Sequence, residues 1–481
     1  MAAVISNSSG GREPLDATRK ALEINLDRRR YGTFAEIGAG QEVVRRFFRA
    51  GGAAGTIAKS ISAYDMSVSD AIYGKCERYV SRPRLQSMLD YEYKLNLSRL
   101  AEARGDTTSF FVFADTVAVG GYQSNQDGRG WMGVKFQAHP RDENSQIILH
   151  VRMLDRQNAQ QQEALGIMGV NLLYGAFFHH HEPEALLASL LDGLSRERIE
   201  IDMIEFSGIE FRHVDNRIMS LRLVERGLSD AAMFAPSGEV LQPSEALHHK
   251  PILVERGSFR PVTHVTLDMI NCARGQFIAA IGRGAGEPVE LMEITMRNLR
   301  AAGEIDLRDF LARADMLSAC GKTVLISDYF EFYRLAGYLS RYTRMPVGIV
   351  MGAASLGDLF DEKYYSDLDG GILESFGRLF KNDHRIYVYP LRSPDNGTLT
   401  RVDNFEAAPG LRKLYGYLVD RGFIQQLENY NQDYLPIFSR DVLEKIKRGD
   451  DSWNAMVPTE VAQIIKKRGL FGYRMPSAVA P

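Results

Sequence analysis

The stretch Arg256-Gly257-Ser258-Phe259-Arg260-Pro261-Val262-Thr263-His264 gathers two guanidinium groups, a glycine and two hydroxyls. Arginine presents a planar fork of donors that matches phosphate or carboxylate in a two-pronged way. Arg256 and Arg260 are therefore the expected holders of an anionic group. Carboxylates close apolar runs further along: Glu293 follows Leu291-Met292, and Asp328 follows residues 324–327. His264 and Asp268 stand four apart in residues 262–269, which read as a strand and put both on one face. Asp268, Glu293, Asp328 and His264 form the expected acid–base set. Their carboxylates would also place a divalent cation such as Mg2+ through oxygen ligands. Asp115, closing residues 110–114, is a further acid at a strand end. Each has a plain structural use as well: Asp328, directly before Tyr329-Phe330-Glu331, is the right type to cap a helix.

Other conspicuous stretches point less sharply to chemistry. His179-His180-His181-Glu182 has the composition of a metal tract. Read as a strand exit, its consecutive rings point to opposite faces, so no metal-ligating set is assigned; His248-His249 is treated alike. Glu36-Ile37-Gly38-Ala39-Gly40 has the form of a nucleotide loop, but residues 28–31 upstream do not read as a strand. The glycine-rich residues 51–60 lack the Gly-Lys adjacency that aims a phosphate-loop lysine. The sequence contains neither Gly-x-Ser-x-Gly nor His-Glu-x-x-His. Cys76, Cys272 and Cys320 are odd in number and far apart, which argues for reduced thiols.

The elements that must position these groups follow from pattern. The 481 residues, 45% hydrophobic and 25% charged, describe an ordinary globular chain of two or more domains. A net charge of −3, from 58 basic and 61 acidic residues, gives no basic field for nucleic acid. The longest apolar run, residues 164–178, contains Asn171 and is shorter than the ~20 residues of a spanning helix. With no export signal in residues 1–11, the expected location is the cytoplasm, without a membrane partner. Residues 1–18 read as a flexible tail and 19–108 as a helical segment, including residues 56–63. Residues 109–258 read as a mixed α+β domain built on an antiparallel meander over 110–119, 131–136 and 147–153. Strands are also expected over 166–178, 199–206 and 217–224. Residues 259–404 alternate strand and helix, with strands at 289–295, 323–327, 347–351 and 385–389 and helices at 307–320 and 329–342. That alternation predicts parallel βαβ units. Residues 405–481 read as a C-terminal helical segment. The fold class is α/β. The pentapeptide Leu-Val-Glu-Arg-Gly occurs at both 223–227 and 253–257 and is read as coincidence.

Residues 31–42, 62–66, 251–264 and 370–377 together resemble, over nearly the whole chain, a bacterial family of about this size. Its members carry two labels, nicotinate- or nicotinamide-nucleotide adenylyltransferase and TonB-dependent receptor. The first class uses His-x-Gly-His near an N-terminal strand, and the second an export signal with many membrane strands. Neither occurs in this sequence, and no residue role is carried over. The residues themselves lead to an enzyme or degenerate enzyme, of transferase type, acting on a phosphorylated or nucleotide-like metabolite at strand ends of the C-terminal half. The alternative is a non-catalytic scaffold that self-assembles as a homo-oligomer.

Overall fold

The computed structural model describes residues 15–120, 127–301, 303–394 and 396–474. The chain divides into two compact units, Met1–Ser229 and Asp230–Pro481. The first fourteen residues of the expected tail, and 124–126 of the first meander turn, lie outside the described residues.

Unit 1 has strands β1 (Arg30–Gly38), β2 (Ile57–Ile61), β3 (Ser109–Ala118), β4 (Gly128–Phe136), β5 (Ser145–Met153) and β6 (Ile199–Gly208). Its helices are α1 (Ala17–Leu26), α2 (Val43–Ala50), α3 (Met66–Tyr73), α4 (Arg82–Arg104), α5 (Asn158–Phe178), α6 (Pro183–Ser189) and α7 (Asn216–Glu225). The six strands form one sheet in the order β2-β1-β3-β4-β5-β6. The first three are parallel, β3 to β5 run as the expected antiparallel meander, and β6 adds antiparallel beside β5. Helix α4 packs on β1, β3 and β4, while α1, α2 and α5 pack together. Phe34, Phe111, Phe113 and Phe136 meet Val43, Phe47 and Phe177 in the core.

Three expectations in this unit are corrected. Residues 166–178 are the end of α5, not a strand. Short apolar runs fit a buried helix as well as a buried strand, and here glycine decides. A Cβ at Gly169 would lie 2.3 Å from Val43 Cγ2, so the missing side chain lets α5 press onto α2. Residues 217–224 form α7, started by the Asp215 carboxylate, which accepts from Arg217 N–H. Residues 56–63 contain β2 rather than a helix; β-branched Ile57 and Ile61 pair along the edge of β1.

Unit 2 has strands β7 (Ala231–Phe234), β8 (Val240–Leu241), β9 (Ile252–Arg256), β10 (Val289–Thr295), β11 (Thr323–Ser327), β12 (Val347–Gly352), β13 (Arg385–Tyr389), the pair β14 (Leu391–Arg392) and β15 (Leu399–Thr400), and β16 (Ile424–Gln426). Its helices are α8 (Pro243–Ala246), α9 (His264–Ile281), α10 (Met296–Leu299), α11 (Leu307–Ala319), α12 (Phe332–Leu339), α13 (Ser355–Leu359), α14 (Gly371–Leu379), α15 (Arg412–Asp420), α16 (Ser439–Arg448) and α17 (Thr459–Arg468). The main sheet runs β16-β13-β12-β9-β10-β11-β7-β8. From β16 to β11 all pairs are parallel; β7 and β8 extend the sheet antiparallel. Starting at β9, the chain builds outward through β10 and β11. It then returns to the other side of β9 and builds outward through β12, β13 and β16. That is the doubly wound 3-2-1-4-5-6 order, with its switch point between β9 and β12. The α/β class expected from the sequence is what the structure has.

Residues 262–269, expected as a strand, are a loop end and the start of α9. Thr263 caps the helix on Thr266 N–H, and the Thr266 side chain returns the contact, an arrangement that a β-branched run conceals. The strand entering this loop is β9, which the sequence reading passed over. Among the described residues no helix is long and apolar enough to cross a membrane.

Candidate functional site

Ligands of doubly wound sheets bind beyond the carboxyl ends of the strands, at the switch point. In unit 2 that place holds a cavity of about 300 Å³. It is bounded by Arg256 and Gly257 after β9, Thr295, Arg297 and Asn298 after β10, Phe330 to Phe332 after β11, and Ser355 and Asp358 after β12. The volume stands at the lower end of the roughly 300–1,000 Å³ of small-molecule sites.

Arg256 lines the cavity, and Glu293 stands in register with it on the neighbouring strand. Arg256 Nε donates to Glu293 Oε2 (2.7 Å) and Nη2 to Oε1 (3.0 Å). Its other donors reach the carbonyls of Tyr329 (3.0 Å) and Phe330. Ser327 Oγ donates to Glu293 Oε1 at 2.5 Å. Glu293 is 0% exposed, and its fork with Arg256 compensates a carboxylate removed from water. The guanidinium also lies 4.3 Å from the centre of the Phe332 ring. Arg256 is thus spent on shaping the strand ends.

Arg297 is placed differently. Thr295 ends β10 and caps α10 by accepting from Asn298 N–H, which sets Arg297 in the first turn above the cavity. The exposed guanidinium lies 4.2 Å from the centre of the Phe330 ring. No carboxylate among the described residues pairs with it. Phe330 packs on Tyr364 (4.6 Å between centres), so the wall beside the arginine is aromatic.

The other sequence candidates go elsewhere. Arg260 pairs with Asp309 (2.7 Å), which also holds Arg313. His264, the first residue of α9, stacks on Tyr434 at 5.0 Å, and burial lowers its pKa from the ordinary imidazole value. Asp268, one turn further, accepts from Tyr389 Oη (2.7 Å) and Asn431 N–H (2.9 Å). Asp328 is exposed at the end of β11 and caps no helix, because α12 begins only at Phe332. Of the six residues, the structure brings Arg256 and Glu293 together, and Arg256 alone of the six lines the cavity. Arg297 carries no such signal in the sequence, because it lies two residues beyond its strand rather than closing the apolar run. Its distinguishing feature, the lack of an acidic partner, exists only in three dimensions.

Unit 1 contains a second group of acids. A strand, β1, does precede Gly38-Ala39-Gly40. It places Glu36 in register with Asp115, which lies within β3 rather than at its end. The Glu36 carboxylate accepts from Val43 N–H (2.9 Å) and Val44 N–H (3.2 Å), closing the start of α2. Gly38, at φ +77°, turns the loop over Asp115. Neither Asp115 oxygen meets a donor in hydrogen-bonding geometry. Burial, with Glu36 beside it, holds Asp115 well above the usual carboxylate range, and burial pushes Glu36 up to about 8. This glycine loop closes over protein carboxyls, leaving phosphate no place under it.

No family model matches the chain, and no curated protein matches it. Among solved structures, the chain is similar to the competence/damage inducible protein CihA from Agrobacterium tumefaciens, at 18% identity over 34% of this chain and 96% of that one, with a TM-score of 0.26. CinA superfamily proteins from Klebsiella pneumoniae (17% identity, 33% and 92% covered, TM-score 0.24) and Enterobacter cloacae (16%, 36% and 99%, 0.25) are also similar. A likeness of this size assigns neither a family nor an activity.

Proposed function

We propose that unit 2 is an enzyme, or degenerate enzyme, that takes a small phosphorylated, nucleotide-like metabolite over the ends of β9 to β12. The observation that carries this reading is Arg297: a guanidinium without an acidic partner among the described residues, beside an aromatic wall, at the switch point of a doubly wound sheet. The phosphate takes the Arg297 fork, and the planar part of the ligand lies along Phe330 and Tyr364. Arg256 acts as a positioning residue, holding the ends of β9, β10 and β11 together. Asp358 and Glu331, the carboxylates on the wall, take the proton-moving or cation-placing role. Their carboxylate oxygens would hold a divalent cation such as Mg2+, which would supply charge neutralisation for the phosphate.

The test is a thermal-shift panel of nucleotides, sugar phosphates and inorganic phosphate on the full chain, with and without Mg2+. A ligand at a hundredfold excess over its Kd stabilises by about 2.7 kcal/mol. The expected result is a saturable rise in Tm with at least one phosphorylated ligand. In Arg297→Ala that rise disappears while the unliganded Tm is unchanged. The reading fails if no ligand moves Tm, or if Arg297→Ala responds as the wild type does.

A further inference from the structure

We propose that His180, His181 and Glu210 in unit 1 form a binding site for a divalent transition-metal ion such as Zn2+ or Co2+. The three side chains each offer a ligand atom, and these atoms lie within 4.8 Å of one another. The reading of this tract as a strand exit is what hid the site. Helix α5 ends at Phe178, and His179 closes it by donating its N–H to Gly175 O. The chain then turns, so His180 and His181 leave side by side, their ring centres 3.8 Å apart at 48°. Glu210 arrives from the other side, in the 3-10 turn Ile209–Phe211 that follows β6. That turn is pinned by Glu210 N–H donating to Ser145 Oγ at 3.0 Å. His180 Nε2 and Glu210 Oε2 are 3.9 Å apart.

The second observation is His180 itself. The residue is 5% exposed, and neither ring nitrogen has a partner in hydrogen-bonding geometry. A buried polar group without a partner is costly, and an unsatisfied one in a folded protein calls for an explanation. The ring packs near Phe136, their centres 6.0 Å apart, and is shielded from water. Its free direction is toward His181 and Glu210, where a metal bond would use the lone pair.

The donor set selects the ion. Two imidazoles and one carboxylate suit zinc and its neighbours, whereas Mg2+ and Ca2+ prefer oxygen alone. Zn2+ ligands lie about 2.0–2.2 Å from the ion in a tetrahedral arrangement, which puts the donor atoms about 3.4 Å from one another. Exposed His181 and half-buried Glu210 close the remaining gap by small side-chain rotations. Three protein ligands leave a position open on the exposed His181 side. Arg30 is the like charge nearby, and its guanidinium is directed to the carbonyls of Gln137 and Ala138, each at 3.2 Å.

The test uses the full chain without an affinity tag, stripped with chelator and titrated calorimetrically with Zn2+, Co2+ and Mg2+. One equivalent of Zn2+ and of Co2+ is expected to bind, the Co2+ complex with a visible absorption band, and Mg2+ is expected not to. Glu210→Gln and His181→Ala, at positions that solvent reaches, are expected to keep the wild-type circular dichroism and weaken Zn2+ at least about tenfold. His249→Ala, in the other adjacent histidine pair, is expected to leave Zn2+ binding intact. The proposal is overturned if neither Zn2+ nor Co2+ binds saturably. It is equally overturned if binding persists in Glu210→Gln and His181→Ala, or is lost in His249→Ala.

Discussion

Leu-Val-Glu-Arg-Gly occurs twice, and the two copies fold differently. At 223–227 it finishes helix α7. Glu225 pairs with Arg222 on the same helix, Arg226 reaches Glu184 at 3.3 Å, and Gly227 leaves the helix at φ +68°. At 253–257 it is the inner strand β9, hydrogen-bonded to β10 on one side and β12 on the other. Glu255 is buried with Oε2 unpartnered, and Arg256 forks Glu293. The five residues are neutral between the outcomes, and what surrounds them decides. Asp215 starts a helix nine residues before Val224 with an apolar face to bury, whereas Pro251 precedes β9 and a strand waits on either side. Local propensity is a weak term that tertiary partners override. The site in unit 2 hangs on the copy that local sequence specifies least.

The largest test of this contrast removes the arginine from each copy. Arg256→Ala leaves Glu293 buried and unpaired and is expected to cost about 3–5 kcal/mol. Arg226→Ala removes a surface pair and is expected to cost less than about 1 kcal/mol. Chemical denaturation of both variants measures the difference; equal costs would erase the distinction.

The glutamates come next. Burial holds Glu255 well above the usual carboxylate range. A raised folded value means the folded form keeps a proton that the unfolded chain releases. Its stabilisation is therefore complete below the unfolded pKa of about 4.3 and is lost as pH rises through the folded value. Glu255→Gln is expected to flatten the fall in stability between pH 5 and 8 by about 1–3 kcal/mol. In unit 1 the same sign applies to Glu36 at about 8 with Asp115 above its ordinary range. Asp115→Asn is expected to reduce the alkaline loss there, read as melting temperature against pH. A wild-type protein whose stability rises from pH 5 to 8 would refute both statements.

The smallest effect concerns the glycines. Gly227→Ala forces a Cβ into the left-handed region and is expected to cost about 1 kcal/mol. Gly227→Asn, which tolerates that region, is expected to cost less. Parallel denaturation curves resolve the two.

Strands β10, β11 and β13 were legible to their end residues, because β-branched runs buried on both faces are bounded by clear turns. Helix α5 was not, since a run apolar on every side has no period to read. At the sites, the sequence singled out Arg256 and Glu293 but not that they consume each other. It also brought forward the histidine tract, then set it aside on the wrong backbone. Whether neighbouring rings diverge or face one another depends on the turn after Phe178, and that turn is fixed by where α5 ends.

The close approach of the β1–α2 loop to β3 has a consequence for how this chain can vary. A Cβ at position 40 would sit 1.9 Å from Asp115 Oδ1. The two positions, 75 apart in sequence, therefore share a single volume. In any lineage carrying this loop, a larger residue at 40 demands a smaller one at 115. The acid would then be the part surrendered, so the substitution history of a glycine becomes a record of whether the buried carboxyl was kept.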